Sequence, residues 1–216
     1  MNKMAAFPRS AGKSGRNWRN WLVRQARRWH WISAALSLAA ILFFAVTGIT
    51  LNHAESIPAT PIVTERQGDL PASALRALPD TAAEDAPLPP TVARAVRDAI
   101  GLDPAGAAAE WSADEVYIAL PRPGGDAWVS IDRATGKVTA EVTDRGWISW
   151  ANDLHKGRNS GIIWSWFIDI FAVACVIFTL SGLVLLWVHA RYRPSTWTVA
   201  AAGIVIPAIL LFLFVH

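Results

Sequence analysis

Long charge-free apolar stretches alternate along this chain with polar, proline-rich sequence, and the alternation predicts its elements. No formal charge interrupts WHWISAALSLAAILFFAVTGITLNH between Arg28 and Glu55, which reads as one helix bounded by His30 and His53. The two histidines are 23 residues apart, roughly 34 Å at helical rise, enough to cross a hydrocarbon core about 30 Å thick. A cleaved signal peptide does not fit, because the run is too long and no A-x-A-like site follows it. A second span, from about Gly161 to His189, is interrupted only by Asp169. A third runs uncharged from Pro194 to the C-terminus, with Pro207 expected to kink it.

The polar sequence between the first two spans has shorter periods. Residues 54–90, rich in Pro and Ala, read as an extended linker in which Pro61 to Leu70 has the makings of a strand. Val92, Val96 and Ile100 fall at helical spacing in TVARAVRDAIGL, with Leu88 packing near its start. EVYIAL, AWVSID and KVTAEV follow as strands, separated by the turn sequences PRPGGD and RATGK. The expected fold class is a membrane protein, mainly α, with three transmembrane helices and a small α+β extracytoplasmic domain inserted between helices 1 and 2. The boundaries are 1–29 for a basic N-terminal segment, 30–53 for helix 1 and 54–146 for the α+β domain. An interfacial segment (147–160), helix 2 (161–189), a turn (190–194) and helix 3 (195–216) complete the chain.

Composition agrees with a bilayer protein: 53% of the 216 residues are apolar, 17% are charged, and the net charge is only +3. Basic residues set the orientation. Residues 1–29 hold eight Lys/Arg and no acid, and Arg191 and Arg193 follow span two, so the N-terminus and that turn are expected in the cytoplasm and residues 54–158 outside it. Ten of the twelve tryptophans lie outside residues 54–146, mostly near span ends, as interfacial rings should. The basic N-terminal cluster is read as an orientation and lipid contact, with no nucleic-acid partner. A lone cysteine, Cys175 in an apolar run, excludes a disulfide framework, a CxxC pair and a cysteine-rich zinc site. Metal chemistry would therefore rest on histidine.

AWVSIDRATGKVTAEVTDRGWISWANDLHKGR, a following apolar helix ending SGLVLLW, WHW at the first span and GITLNH at its end together resemble the PepSY-associated transmembrane (PepSY-TM) family of bacterial inner-membrane proteins, in its short form. The resemblance covers most of the chain, leaving residues 1–20 and 54–88 without support. It implies a PepSY-like extracytoplasmic domain, haem-b binding by membrane histidines and, in several members, reduction of ferric iron or ferric siderophores outside the cytoplasm. Longer relatives carry more spans and more PepSY copies than this chain.

Position adds an argument of its own. All five histidines fall at span ends, and none lies in residues 54–146. His30 and His189 belong to one membrane face and His53 and His155 to the other, so each pair is a candidate to ligate one haem iron, giving two haems b per chain, with one as the lesser count. A non-haem metal site and purely structural histidines are the competing readings, and His216, at the chain end, is set aside. Two geometric difficulties arise. His30 and His53 point about 140° apart around an ideal helix. His155 lies 34 residues before His189, roughly 51 Å of straight helix, so the path must break near Gly157 and Gly161. Lys156 and Arg158 flank His155 as candidate propionate partners, with Arg27, Arg28 and Arg191 in that role on the inner side. Asp169 should face another helix, water or a haem edge, or bond Ser165, Thr47 or an indole. Thr47, Gly48, Ser181 and Gly182 are small enough for close helix approach and for a flat macrocycle.

The expected function is a di-haem conduit of the bacterial inner membrane. It would take electrons from a quinol or a cytoplasmic reductase and pass them outward to ferric iron, a ferric siderophore or a periplasmic redox protein. The alternative is a non-catalytic membrane-anchored module that docks or restrains a periplasmic partner. A single-haem form and a homodimer sharing histidines lie between the two.

Overall fold

The computed structural model describes residues 11–215 except 59, 80–82 and 84. Its elements run α1 (Ala11–Asn52), β1 (Ile62–Asp69), α2 (Ala72–Leu75), α3 (Pro90–Ile100), β2 (Ala109–Trp111), β3 (Glu115–Ala119), β4 (Gly125–Asp132), β5 (Lys137–Asp144), α4 (Gly146–Lys156), α5 (Gly161–His189) and α6 (Thr196–Phe214). Three helical stretches, Asn17–Asn52, Gly161–Tyr192 and Thr196–Phe214, are long and apolar enough to cross a membrane. Contacts divide the chain into two compact units, one joining residues up to Ile41 with those from Asp169 onward, the other spanning Leu42–Ile168.

In the first unit α1 extends well beyond the expected span. Among the described residues the helix runs from Ala11; from Asn17 to Thr47 the sequence holds neither Gly nor Pro, and nothing stops it. The buried side of α1 in this unit is made of small residues, Ala26, Ser33 and Ser37, in step with His30 at four- and three-residue spacing. Ser33 returns its hydroxyl proton to the Trp29 carbonyl at 2.6 Å. A 3-10 turn, Ala190–Tyr192, ends α5. Pro207 lies inside α6, which runs unbroken through it and has no buried residue. A helix apolar on all sides and uncovered by protein has lipid as its solvent.

In the second unit the sheet is antiparallel in the order β1-β5-β4-β3-β2. β4 alternates strictly, burying Ala127, Val129 and Ile131, and β5 buries Val138, Ala140 and Val142. Val92, Val96 and Ile100 of α3 close this core against Ile118, Val129, Ile131 and Val138. The β4–β5 turn explains its Asp-x-x-Thr-Gly sequence. Asp132 Oδ1 accepts the Ala134 and Thr135 amides at 3.0 and 2.8 Å, and Gly136 takes φ +76°, which favours glycine. Those amides and the Thr135 hydroxyl hold the Asp132 carboxyl below its ordinary value, with the Thr135 backbone contributing most. β1 falls within the Pro61 to Leu70 stretch expected as a strand and pairs with β5 along eight residues; α2 and the three-residue edge strand β2, too short to show a period, are additions to the expected elements.

α4 sits at the Gly124–Gly125 end of β4. Gly157 (φ +67°) and Gly161 (φ +77°) break the path between α4 and α5. The Trp164 indole, on the first turn of α5, donates to the Leu154 carbonyl at 2.9 Å and ties the two helices across the break.

Candidate functional site

Within the first unit, His30 reaches from α1 onto α5. Its Nδ1 lies 3.1 Å from the Phe178 carbonyl oxygen and 3.2 Å from Ser181 Oγ, and its ring stacks on Phe178 with centroids 4.5 Å apart. A Cβ added at Gly182 would stand 3.3 Å from His30 Cε1, so this glycine is the space the ring uses. Beside it opens a cleft of about 600 Å³ with mainly apolar walls, lined among others by His30, Gly182, Leu186, His189, Arg193 and Thr196. Gly182 and His189 are seven residues apart, about 20° round the helix and roughly 10 Å along it, so one face of α5 presents both. His189 Nδ1 is 2.7 Å from the Leu185 carbonyl.

A carbonyl cannot donate, so Nδ1 of His30 and of His189 carries the hydrogen, and in the neutral ring the Nε2 lone pair is left over. No hydrogen bond engages either Nε2 among the described residues. A metal-ligating histidine commonly donates its other ring N–H to a carbonyl, a condition both rings meet, as exposed His53 also does. Two such imidazoles lining one apolar cleft, within the roughly 300–1,000 Å³ of ordinary ligand sites, fit a flat apolar cofactor held by axial nitrogen. Arg193 gives that cleft a cation suited to a carboxylate, while the Thr196 hydroxyl donates to the Arg193 carbonyl at 2.7 Å. The sequence reading missed this role for Arg193; the signal was present in the RYRP turn four residues beyond His189. Arg191, expected in that role, stacks instead on Tyr192 at 4.6 Å, and Arg27 and Arg28 are exposed.

In the second unit His155, on α4, lies against α1. Its Nδ1 is 2.6 Å from Thr47 Oγ1, its ring sits 4.9 Å from that of Phe44, and a Cβ on Gly48 would meet its Cε1 at 3.6 Å. His53 is exposed and bonds the Ile49 carbonyl of its own helix at 3.0 Å. It is six residues past Thr47, about 120° away round α1, so His53 and His155 lie on different faces of that helix. Lys156 and Arg158 are exposed beside His155. Asp169 is exposed, and no hydrogen bond or ion pair reaches it among the described residues. Those residues hold no group of three or more His, Cys, Asp or Glu arranged for a metal. His216 lies outside them.

These features define a multi-pass membrane protein whose polar α+β domain is inserted between its first two spans and whose interior histidines are seated on helix glycines. The chain belongs to the PepSY_TM-like family, whose model matches residues 21–216. No curated protein and no solved structure matches it.

Proposed function

We propose that this chain is a haem-b-binding electron-transfer protein of the bacterial inner membrane, with His30 and His189 as the axial ligands. The observation that carries the reading is the pair of imidazoles lining one apolar cleft, each with Nδ1 spent on a carbonyl and Nε2 unbonded. When bound, haem supplies a one-electron iron couple. The chain's own residues bind and tune it. Arg193 would receive a propionate, and Phe178, Leu183 and Leu186 would keep water from the ring. The basic flanks put the N-terminus in the cytoplasm and the sheet domain in the periplasm. Electrons from a quinol or a cytoplasmic reductase would leave outward, to ferric iron, a ferric siderophore or a redox protein.

The supported count is one haem per chain. The His53/His155 pair, expected to hold a second, has its members on different faces of α1. The test is the visible spectrum of the protein purified in mild detergent, oxidised and dithionite-reduced, with a pyridine haemochrome count. About one b-type haem per chain, lost in both His30→Ala and His189→Ala and retained in His53→Ala, is the expected result. Two haems per chain would restore the outer site. A colourless protein that takes up no added haem would overturn the redox reading and leave the periplasmic binding module.

A further inference from the structure

The two interior histidines rest on one sequence pattern used twice. Phe178-Thr-Leu-Ser-Gly182 receives His30, and Phe44-Ala-Val-Thr-Gly48 receives His155, both of the form Phe-x-x-(Ser/Thr)-Gly on a membrane helix. The parts do the same work in each. The phenylalanine ring covers the imidazole, at 4.5 Å for Phe178 and 4.9 Å for Phe44. An added Cβ would crowd the ring at Gly182, 3.3 Å from His30 Cε1, and would touch it in ordinary contact at Gly48, 3.6 Å from His155 Cε1. The hydroxyl oxygen meets Nδ1, at 3.2 Å for Ser181 and 2.6 Å for Thr47.

The direction of these bonds follows from counting protons. A hydroxyl has one hydrogen to give. Ser181 gives its own to the Phe178 carbonyl at 3.0 Å, and Thr47 gives its own to the Phe43 carbonyl at 2.8 Å. With each hydroxyl hydrogen on its carbonyl, the oxygen is left to accept from the imidazole; the Phe178 carbonyl requires Nδ1–H in His30, and Nδ1–H in His155 is the assignment proposed below. The two sites differ in one respect. His30 has a second acceptor, the Phe178 carbonyl at 3.1 Å, whereas Thr47 is the only acceptor His155 has among the described residues.

We propose that Thr47 is a positioning residue that holds His155 in the Nδ1–H tautomer and leaves the lone pair on Nε2, as the Phe178 carbonyl beside Ser181 does for His30. An oxygen accepting from Nδ1–H makes the imidazole a stronger donor toward a metal. What binds at Nε2 rests on the haem reading; the tautomer does not.

The test uses the full chain in detergent with ¹⁵N-labelled histidine and no haem, the tautomer being read from the ring-nitrogen shifts above the histidine titration range. His30 and His155 should both show Nδ1–H. Thr47→Val should move His155 toward Nε2–H, Thr47→Ser should restore it, and Ser181→Ala should leave His30 unchanged because the Phe178 carbonyl remains. An Nε2–H tautomer for wild-type His155, or a Thr47→Val spectrum identical to wild type, would overturn the proposal. Should Thr47→Val fail to fold, the wild-type and Thr47→Ser spectra decide. Failure of the haem reading appears separately, as absent haem with both tautomers as stated.

Discussion

Gly124→Ala measures how firmly the sheet domain grips α4. Gly124 takes φ +74°, where an L side chain costs about 1–2 kcal/mol. A Cβ there would stand 2.7 Å from Trp150 Cα and 2.8 Å from Trp150 N, which is backbone of α4. Ordinary carbon contacts begin near 3.5 Å, so the helix would have to retreat by about 0.8 Å or more. Overpacking of this kind costs about 1–3 kcal/mol. The retreat also stretches the bond from the Gly124 amide to Asp153 Oδ2, 2.9 Å long in the structure. The total is about 2–5 kcal/mol. Gly106 is the internal control: it has the same φ of +74° and nothing within 4 Å of an added Cβ, so Gly106→Ala carries the backbone cost alone. Thermal unfolding of the full chain in mild detergent, followed by tryptophan fluorescence, reads the difference. At roughly 3–5 °C per kcal/mol, Gly106→Ala should lower Tm by about 3–10 °C and Gly124→Ala by about 6–25 °C. Hydrogen exchange should show α4 amides losing protection only in the second variant. Equal losses for the two alanines would refute the claim that α4 is locked through this turn.

Two further outcomes follow from named contacts. Arg193→Gln removes the cation lining the His30/His189 cleft and should weaken haem retention about tenfold while leaving the oxidised spectrum's bis-histidine character intact; titration of the apoprotein with haem checks it. Asp132→Asn should alter acid sensitivity: the lowered folded pKa means the carboxylate's stabilisation is fully present above the ordinary aspartate value, about 4, and disappears as pH falls through the folded value. Wild type should therefore lose Tm more steeply than the asparagine variant on acidification, and parallel pH profiles would refute that.

The spans, the inserted domain and the family were legible because they rest on long, strong signals. A run without charge from His30 to Asn52 has one structural reading, and β4 and β5 alternate cleanly because one face alone is buried. Weaker signals depend on tertiary contact. β1 carries Glu65, Arg66 and Asp69 and buries none of its residues fully, so its strand character comes from pairing with β5. The site was half legible. The histidine positions were evident from their confinement to span ends, but Thr47, Gly48, Ser181 and Gly182 read only as small residues until the structure showed imidazoles resting on them. The repeated Phe-x-x-(Ser/Thr)-Gly pattern was present in the sequence throughout; without knowing that a ring packs there, nothing distinguishes it from ordinary membrane-helix composition.

The Asn-Asp-Leu-His run of α4 acquires a physical reason from its neighbours. Successive helical residues point about 100° apart, so four in a row sweep about 300° of the helix surface. Each of the four is tied to a different group. Asn152 Oδ1 accepts from Thr50 at 2.6 Å, Asp153 accepts the Gly124 amide at 2.9 Å, the Leu154 carbonyl accepts the Trp164 indole at 2.9 Å, and His155 Nδ1 lies 2.6 Å from Thr47 Oγ1. A helix gripped on nearly every side has little freedom to rotate, and the imidazole at its end inherits that restriction. The place of His155 is thus set by the sheet domain through Gly124 as much as by the span through Thr47. Gly124→Ala, which removes no group that touches the histidine, should therefore shift His155 from pure Nδ1–H toward a mixture of tautomers in the same ¹⁵N spectrum, while Gly106→Ala leaves it unchanged. If His155 keeps its tautomer in Gly124→Ala while the α4 amides lose protection, Thr47 alone positions the ring and the domain's grip on α4 serves stability only.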